Sequence, residues 1–354
     1  MNKPSLRLRV AMLALLALLA CSCNQCPSQA PAGGAGGGTG GGAPGGTGGG
    51  TPPPAPTVQL FVTNLGGNSV VSFGINADGT ATLPPYRVIR GPNTGLHNPM
   101  AVSVPRNGEI FVANLGDNAS DPSVTIFAAD ATGDVAPLRT LQGANTGLSR
   151  PNGIRAGQWP GFLVTNHVES GGSGILGIVE YGVGVGNGNP TGRISGASTT
   201  ITGPMGMARG PNNEVVFCDT TTNRILVYDF PANTDHDAAP TRIIGGPNTG
   251  LDAPMGVAID GSGNIFVANH GSSTITIYPP GASGDAAFAR QIRATSAPPV
   301  LLEPSAIAVD DLGHTYVSVG NVVYVYKEDA NGAVAPIQRI DDPSLSGTQG
   351  LCIR

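Results

Sequence analysis

Charged residues are scarce in this chain of 354 residues, and so is helical patterning. Asp, Glu, Lys and Arg make up 12% of the residues, and the formal net charge is −5. Without a basic stripe the protein lacks the electrostatic attraction that nucleic-acid backbones require, so nucleic acid is not expected as a partner. No segment after the N-terminal region keeps a helical period, which argues against an α-helical fold.

Several motifs of catalysis and metal binding are missing as well. The sequence contains neither GxSxG, the nucleophile turn of many hydrolases, nor HExxH, the zinc-binding helix of many proteases. The acidic stretches NADG, DATGD, DGSGN and EDANG lack the ligand spacing of an EF-hand loop, and they are interpreted as hairpin turns. These hydrolase signatures therefore give no support to an enzymatic function.

Glycine and proline are abundant, with 54 and 31 residues, and many of them fall between Pro31 and Pro56. A Gly-rich coil of this composition cannot bury enough apolar surface to fold. Its root-mean-square span is roughly 30 Å, and the proline cluster at its far end stiffens it. Residues 21–57 are predicted to be a flexible tether that holds a folded body, residues 58–354, away from a membrane.

The N-terminus is typical of an export signal. Three basic residues precede an apolar run from Val10 to Ala20, which is too short to span a bilayer and suits a secretory signal peptide over residues 1–20. The following Leu-Leu-Ala-Cys resembles the bacterial lipoprotein box. That resemblance implies that Cys21 is lipidated and that the protein is anchored in the bacterial envelope, at the outer membrane, in the periplasm or at the surface. Cys23 is a rival acceptor, and a plain cleaved signal is the alternative.

One ten-residue phrase recurs along the rest of the chain. GPNTGLHNPM begins at Gly91, GANTGLSRPN at Gly143 and GPNTGLDAPM at Gly246, and a degenerate copy, GASTTITGPM, begins at Gly196. A fixed period of about 50 residues indicates a repeat architecture. The shared residues suit a crossover between repeats, because Gly permits a positive φ and Asn and Thr bond to nearby backbone.

Each repeat contains four short segments with strand character. The first follows a proline, at Pro99, Pro151, Pro204, Pro254 and Pro304. The second ends on an amide or acid that is interpreted as a turn former, at Asn64, Asn114, Asn166, Asp219 and Asn269. The third ends on an aromatic residue, at Phe73, Phe127, Tyr181, Tyr228, Tyr278 and Tyr326. The fourth carries an arginine, at Arg87, Arg139, Arg193, Arg242, Arg290 and Arg339.

Four strands per unit of about 50 residues predict an all-β fold, a six-bladed β-propeller with four-stranded antiparallel blades. The first unit begins at its second strand, and the C-terminal Gly350 to Arg354 has the pattern of a first strand. The C-terminal strand is therefore expected to complete blade one and close the ring. Cys218 and Cys352 then fall in opposite blades, where each is expected to be a small buried residue rather than half of a disulfide.

Two stretches resemble known propeller repeats. PMGVAIDGSGNIFVANHGSSTITIY is similar to an NHL repeat, and VQLFVTNLGGNSVVSF is similar to the YVTN type. The resemblance covers Val58 to Arg354 and implies a propeller. Such propellers include inert scaffolds, ligand binders, lactonases and lyases, so the resemblance implies no single activity.

Residues that recur in every blade are interpreted as scaffold, and residues that break the repeat are candidates for function. The crossover loops and the loops between the second and third strands are expected at one face. That face carries six candidate ligand or metal residues, His97, His167, Glu169, Asp252, His270 and Glu303. Imidazole and carboxylate groups on one face can ligate a divalent metal, although surface histidines and acids more often do nothing of the kind.

Two functions are compatible with these observations. The first is a lipid-anchored scaffold, monomeric and without a cofactor, that binds a protein, a peptide or a glycan through its loops. The alternative is a metal-dependent lactonase or lyase with a site on the loop face. The low charge and the missing catalytic motifs favour the scaffold.

Overall fold

Short segments of apolar residues form strands here, and tight turns rich in Gly, Asn and Asp reverse the chain after each one. The computed structural model describes residues 56–117, 121–157, 161–168, 174–184, 186–210, 214–229, 235–295 and 301–354. Within these ranges the only helices are single 3-10 turns at Ala144–Thr146, Ala197–Thr199 and Thr220–Thr222. The predicted signal peptide, Cys21 and the tether as far as residue 55 lie outside the described residues.

Four strands form each of six antiparallel blades, and the blades form a ring. The innermost strands of blades one to six are Thr348–Ile353, Pro99–Ser103, Arg150–Ala156, Pro204–Arg209, Pro254–Ile259 and Ala306–Val309. The second strands are Gln59–Asn64, Ile110–Asn114, Gly161–His167, Glu214–Asp219, Ile265–Asn269 and Thr315–Val319. The third strands are Ser69–Gly74, Ser123–Phe127, Gly177–Gly182, Arg224–Asp229, Thr274–Tyr278 and Val322–Tyr326. The outer strands are Arg87–Arg90, Arg139–Gln142, Gly192–Ile194, Arg242–Ile244, Arg290–Arg293 and Gln338–Ile340. The predicted all-β, six-bladed propeller is confirmed.

The C-terminal strand closes the ring, as the sequence predicts. It lies antiparallel to the first strand of the described chain, with Leu60 opposite Ile353 and Phe61 opposite Cys352. The backbone N–H of Gln59 donates to the carbonyl of Arg354 at 2.8 Å, and the Arg354 N–H returns a bond of 3.0 Å. Blade one therefore joins the two ends of the propeller and leaves no open blade at the seam.

The hydrophobic core lies between the blades rather than at a single centre. Six clusters of buried residues are found among the described residues, and each combines side chains from two neighbouring blades. The strand-end aromatics contribute to these clusters, with Phe73, Phe127, Tyr181 and Tyr278 at most 1% exposed. Blade stacking is thus the main source of apolar burial.

Neighbouring blades are also joined at the rim by backbone hydrogen bonds. The connection between the third and outer strands of one blade runs parallel to the outer strand of the preceding blade. This pairing occurs as the two-residue strands Asp235–His236 and Gly332–Ala333, and as bridges at Gly133, Gly186 and Gly284. At the seam between blades six and one a side chain replaces it, because the Gln338 amide exchanges two hydrogen bonds with the backbone of Ala81.

The repeated crossover loop is part of this framework. In the first copy, Asn93 donates from its backbone N–H and its side-chain amide to the two carboxylate oxygens of Asp134, at 2.8 and 2.9 Å. Gly91 has a φ of 141°, and a Cβ there would lie 2.3 Å from the Asp134 carboxyl carbon. Asp285 holds the copy at Asn248 in the same way. The recurrence of GPNTGL is therefore structural, as interpreted from the sequence.

The strand-end amides and acids have a different role from the turn formation expected of them. Asn64, Asn114, Asn166, Asp219 and Asn269 are all fully buried. Each accepts a hydrogen bond from a backbone N–H of the segment that leads into the inner strand of its own blade, for example from Ser149 to Asn166 at 2.9 Å. They anchor that segment to the second strand.

The recurring arginines have structural partners, as expected. Arg139 and Arg242 form ion pairs with Glu109 and Glu214 at 2.7 and 2.8 Å. Arg290 donates to the backbone carbonyl of Glu328 at 2.6 Å.

Cys218 and Cys352 are free and buried, and burial raises the pKa of both thiols. In the described part of the chain, no helix has the length and apolarity that crossing a bilayer needs.

Candidate functional site

The crossover loops and the loops after the second strands meet at one face of the propeller, which we call the crossover face. In blade two the N–H groups of Leu115 and Gly116 donate to the carbonyls of Asn98 and His97, both at 3.1 Å. In blade five the N–H groups of His270 and Gly271 donate to the carbonyls of Ala253 and Asp252 at 3.2 and 3.0 Å. The shared face inferred from strand order is therefore present.

His97 and His167 lie at separate places on this face. His97 is exposed, and its Nδ1 lies 3.1 Å from the carboxylate of Asp117 in the same blade. His167 ends the second strand of blade three, opposite Arg150, and is partly buried. Glu169 lies outside the described residues.

The other three candidates gather where blade five meets blade six. The Nδ1 of His270 lies 3.1 Å from the backbone carbonyl of Glu303. Because a carbonyl only accepts, the imidazole donates through Nδ1 in this contact. Asp252 lies beside the next residue, since a Cβ on Gly271 would be 2.6 Å from its carboxylate. Glu303 holds a φ of 49° and donates its N–H to Ser273 at 3.1 Å.

These neighbours do not form a set of metal ligands. Among the described residues no group of three or more His, Cys, Asp or Glu side chains is arranged to hold a metal ion. The contact between His270 and Glu303 uses the backbone of Glu303. What the geometry provides at this junction is a partly exposed imidazole whose Nδ1 already contacts a backbone carbonyl.

A concavity lies at the centre of the crossover face, where the six inner strands begin. We call it the channel mouth, and its volume is about 70 Å³. Every blade contributes the same position of its inner strand, as Gln349, Met100, Asn152, Met205, Met255 and Ser305 for blades one to six. All six side chains are partly exposed.

Small residues bring the inner strands close enough to form this mouth. The position after each of the six is Gly or Ala, and at Gly206 a Cβ would lie 2.5 Å from the carbonyl of Met255. Hydrogen bonds fix the ring, such as Thr165 Oγ1 to Met205 O at 2.6 Å and Ser305 Oγ to Thr348 O at 3.0 Å. The mouth is therefore held by close backbone packing and by side-chain hydroxyls that donate to the backbone of the neighbouring blade.

None of the residues of the channel mouth is ionisable, and the sequence did not single them out as candidates. A signal was nevertheless present. The residue after the aligned proline is Met, Asn, Met, Met and Ser in blades two to six, although its neighbours recur. This position varies from blade to blade while the residues around it recur. It therefore breaks the repeat, which is the same criterion that made the histidines candidates for function.

Buried tyrosines support the rim of this face rather than its chemistry. The hydroxyls of Tyr181, Tyr228 and Tyr278 donate to the carbonyls of Thr146, Thr199 and Thr249 in the crossover loops. Burial raises the pKa of Tyr278 to about 12. These hydroxyls therefore stay protonated and act as structural donors.

Comparison with known proteins shows the fold and no closer relationship. No family model matches the chain, and no curated protein matches it. Among solved structures, a protein of unknown function from Bacteroides caccae is 11% identical, with a TM-score of 0.54 over 84% of this chain and 98% of that one. The periplasmic gluconolactonase PpgL of Pseudomonas aeruginosa is 12% identical, with a TM-score of 0.52 over 84% and 98%. The WD40 propeller domain of Doa1 is 10% identical, with a TM-score of 0.52 over 82% and 81%.

Proposed function

We propose that this protein is a lipid-anchored, extracytoplasmic propeller of the NHL or YVTN type that binds an uncharged group of a peptide, protein or glycan at the channel mouth. The observation that carries the proposal is the composition of that mouth. In a framework built from repeated residues, six equivalent positions hold three thioethers, two amides and one hydroxyl.

Binding suits these groups better than catalysis. Amides and hydroxyls donate and accept hydrogen bonds, and methionine adapts its shape to an apolar surface. General acid, general base and most nucleophilic mechanisms need an ionisable side chain, and none lines the mouth. The volume of about 70 Å³ is well below that of pockets that enclose a whole small ligand, so the mouth would receive a single group of a larger one.

The alternative of a metal-dependent lactonase or lyase has weaker support. One neighbour in fold is a gluconolactonase, but at 12% identity the likeness is one of fold. The described residues of the crossover face offer a pair of contacts between His270 and Glu303 rather than a ligand set. No observation favours this activity over binding.

The proposal is tested with the full chain in detergent, applied to peptide and glycan arrays. Met205→Ala and Gln349→Ala remove a thioether and an amide from the mouth, and each is expected to weaken a captured ligand at least about tenfold. Asp130→Ala, an exposed acid at the start of a turn in blade two, is the matched control. Equal binding by all four proteins would show that the ligand does not use the mouth.

The anchor is tested separately. Cys21→Ser is expected to move the full chain from the detergent phase to the aqueous phase, because lipoprotein processing adds more than one acyl chain and stable anchoring needs that number. Cys23→Ser serves as the control. If Cys21→Ser stays in the detergent phase while Cys23→Ser leaves it, Cys23 is the acceptor. If neither single variant moves, the variant with both substitutions decides: its move to the aqueous phase shows that either cysteine can be lipidated, and its retention shows that neither holds the anchor.

A further inference from the structure

The methionines of the propeller are concentrated at the channel. The sequence contains six, and two of them lie in the predicted signal peptide. The other four all line the cavity at the channel mouth, as Met100, Met205, Met207 and Met255. Each of the four is partly exposed, and the buried core of the described residues contains no methionine. The thioethers are therefore placed around the channel rather than used as fully buried core residues.

Three of the four occupy the same position of the inner strand. Met100, Met205 and Met255 follow the aligned proline in blades two, four and five. Blades four and five are neighbours, and blade two lies opposite blade five in the ring of six. The three side chains therefore approach the cavity from both sides of the channel, and Met207 lines it two residues further along its strand.

The backbone of each of these three methionines is packed against the preceding blade. A Cβ on the glycine of that blade would lie 2.7, 2.8 and 2.5 Å from the methionine carbonyl oxygen, for the pairs Gly350 and Met100, Gly153 and Met205, and Gly206 and Met255. The hydroxyls of Thr63 and Thr165 donate to the first two of these carbonyls, at 3.3 and 2.6 Å. The framework thus fixes where the side chains begin, and the flexible, unbranched methionine chain lets each sulfur adjust its position.

Two of the polar groups at the mouth already serve the framework. The side-chain amide of Asn152 donates to the carbonyl of Pro204 at 3.2 Å, and the hydroxyl of Ser305 donates to that of Thr348 at 3.0 Å. Among the described residues no carboxylate, imidazole or thiol lines the mouth. Calcium, magnesium and zinc therefore lack the ligands that they prefer.

A group of neutral thioethers has a chemical preference of its own. Thioether sulfur is soft and polarisable, and it selects Cu(I) over harder cations. A cavity of about 70 Å³ is small for an organic ligand, whereas a metal ion fits between flexible side chains. The competing explanation is that the methionines only adapt their shape to an apolar group of a ligand.

We propose that the thioethers of Met100, Met205 and Met255 bind a soft monovalent metal ion, Cu(I), at the channel mouth. Met207 adds a further sulfur to the same cavity. Because no ionisable side chain lines the mouth, the ion is held by metal–sulfur bonds rather than by opposite charge. This site goes beyond the peptide or glycan ligand proposed above and does not depend on it.

An NMR titration of the full chain in detergent, isotope-labelled at its methionine methyl groups, tests the proposal. The probe is Ag(I), a soft monovalent ion that does not change its oxidation state during the titration. Ag(I) is expected to shift the methyl resonances of Met100, Met205 and Met255, whereas Zn(II) should shift none of them. Silver bound at a cysteine would leave these resonances unchanged, so the readout identifies the ligands.

Leucine variants separate a metal site from an apolar contact. Leucine keeps the volume and the apolar character of methionine and lacks the sulfur. Met100→Leu and Met255→Leu are each expected to weaken Ag(I) binding at least about tenfold, since loss of a partner outside the direct ligands already costs about 10–100-fold. Gln349→Ala is the matched control, because it removes an amide from the same ring of positions and leaves every thioether in place.

Three results would overturn the proposal. These are methionine resonances that excess Ag(I) leaves unchanged, equal shifts with Zn(II), or leucine variants that bind Ag(I) as tightly as the wild type. The titration of the wild type decides the first two without any variant, so a leucine variant that fails to fold does not leave the site untested. Gln349→Ala should lose affinity for the peptide or glycan ligand and keep its affinity for Ag(I), so failure of the one proposal is distinguishable from failure of the other.

Discussion

The packing of inner strands around the channel predicts that Gly206→Ala destabilises the propeller. A Cβ at this position would lie 2.5 Å from the carbonyl oxygen of Met255 and 3.0 Å from the Cα of Gly256. Both atoms belong to the backbone of the next blade, so no side chain can turn aside to make room. The methyl group must push two blades apart.

The magnitude follows from two opposing effects. Overpacking of this kind costs about 1–3 kcal/mol. Alanine also restricts the unfolded chain, and since Gly206 does not have a left-handed φ this gain of about 0.4–1 kcal/mol is available. We therefore expect a net loss of about 1–2 kcal/mol. With an unfolding entropy of about 2.1 cal/mol/K per residue over roughly 300 residues, the melting temperature should fall by about 2–3 °C.

Gly261→Ala is the matched control for this experiment. It lies in an exposed turn, has no left-handed φ, and would bring its Cβ within 4 Å of no described atom. It should therefore show only the gain from the unfolded state, about 0.4–1 kcal/mol. Thermal and urea unfolding followed by far-UV circular dichroism measure both variants. If Gly206→Ala is as stable as Gly261→Ala, the inner strands are not packed as closely as argued here.

Three further predictions concern the closure of the ring, the buried carboxylate of Asp219 and the pH dependence of stability. Deletion of Thr348–Ile353 together with Arg354 removes the inner strand of blade one and exposes Gln59–Asn64 as an edge strand. Size-exclusion chromatography should therefore show aggregation of the shortened protein. A monomer with an unchanged melting temperature would contradict the closure. Asp219→Asn should lower the free energy of unfolding in urea by about 1–3 kcal/mol, because four groups donate hydrogen bonds to that buried carboxylate, from Thr202, Gly203, Thr222 and Arg224. Asp229→Asn is the control and should change nothing measurable, because Asp229 is exposed. The pKa of Tyr278 rises from 10.0 to about 12 on folding, so the stability that its protonated hydroxyl contributes is complete below pH 10 and is lost between pH 10 and 12. Tyr278→Phe should therefore reduce the fall in the free energy of unfolding between about pH 9 and about pH 11. An unchanged dependence of that free energy on pH would refute the assignment.

The sequence by itself determined the blade and the ring. Strand segments, turn glycines and the aligned arginines are local features, and a period of about 50 residues repeats them, so four strands per blade and six blades follow without coordinates. The unmatched first strand at the C-terminus completed the argument for closure. Chain order along an antiparallel blade also sufficed to assign the crossover loops and the loops after the second strands to one face.

Only the tertiary structure decided which side chains meet. Met205 and Met255 are 50 residues apart, and they share a cavity because ring symmetry brings equivalent positions of all inner strands to one axis. The same holds for Arg155 and Arg209, which lie in neighbouring blades and line one concavity. The seam is the extreme case, since Tyr316 donates to the carbonyl of Gly79, 237 residues away in sequence, and to the buried carboxylate of Asp310. Periodicity reports what each residue does within its own blade, whereas contacts between blades depend on the three-dimensional spacing of the blades, which no local pattern encodes.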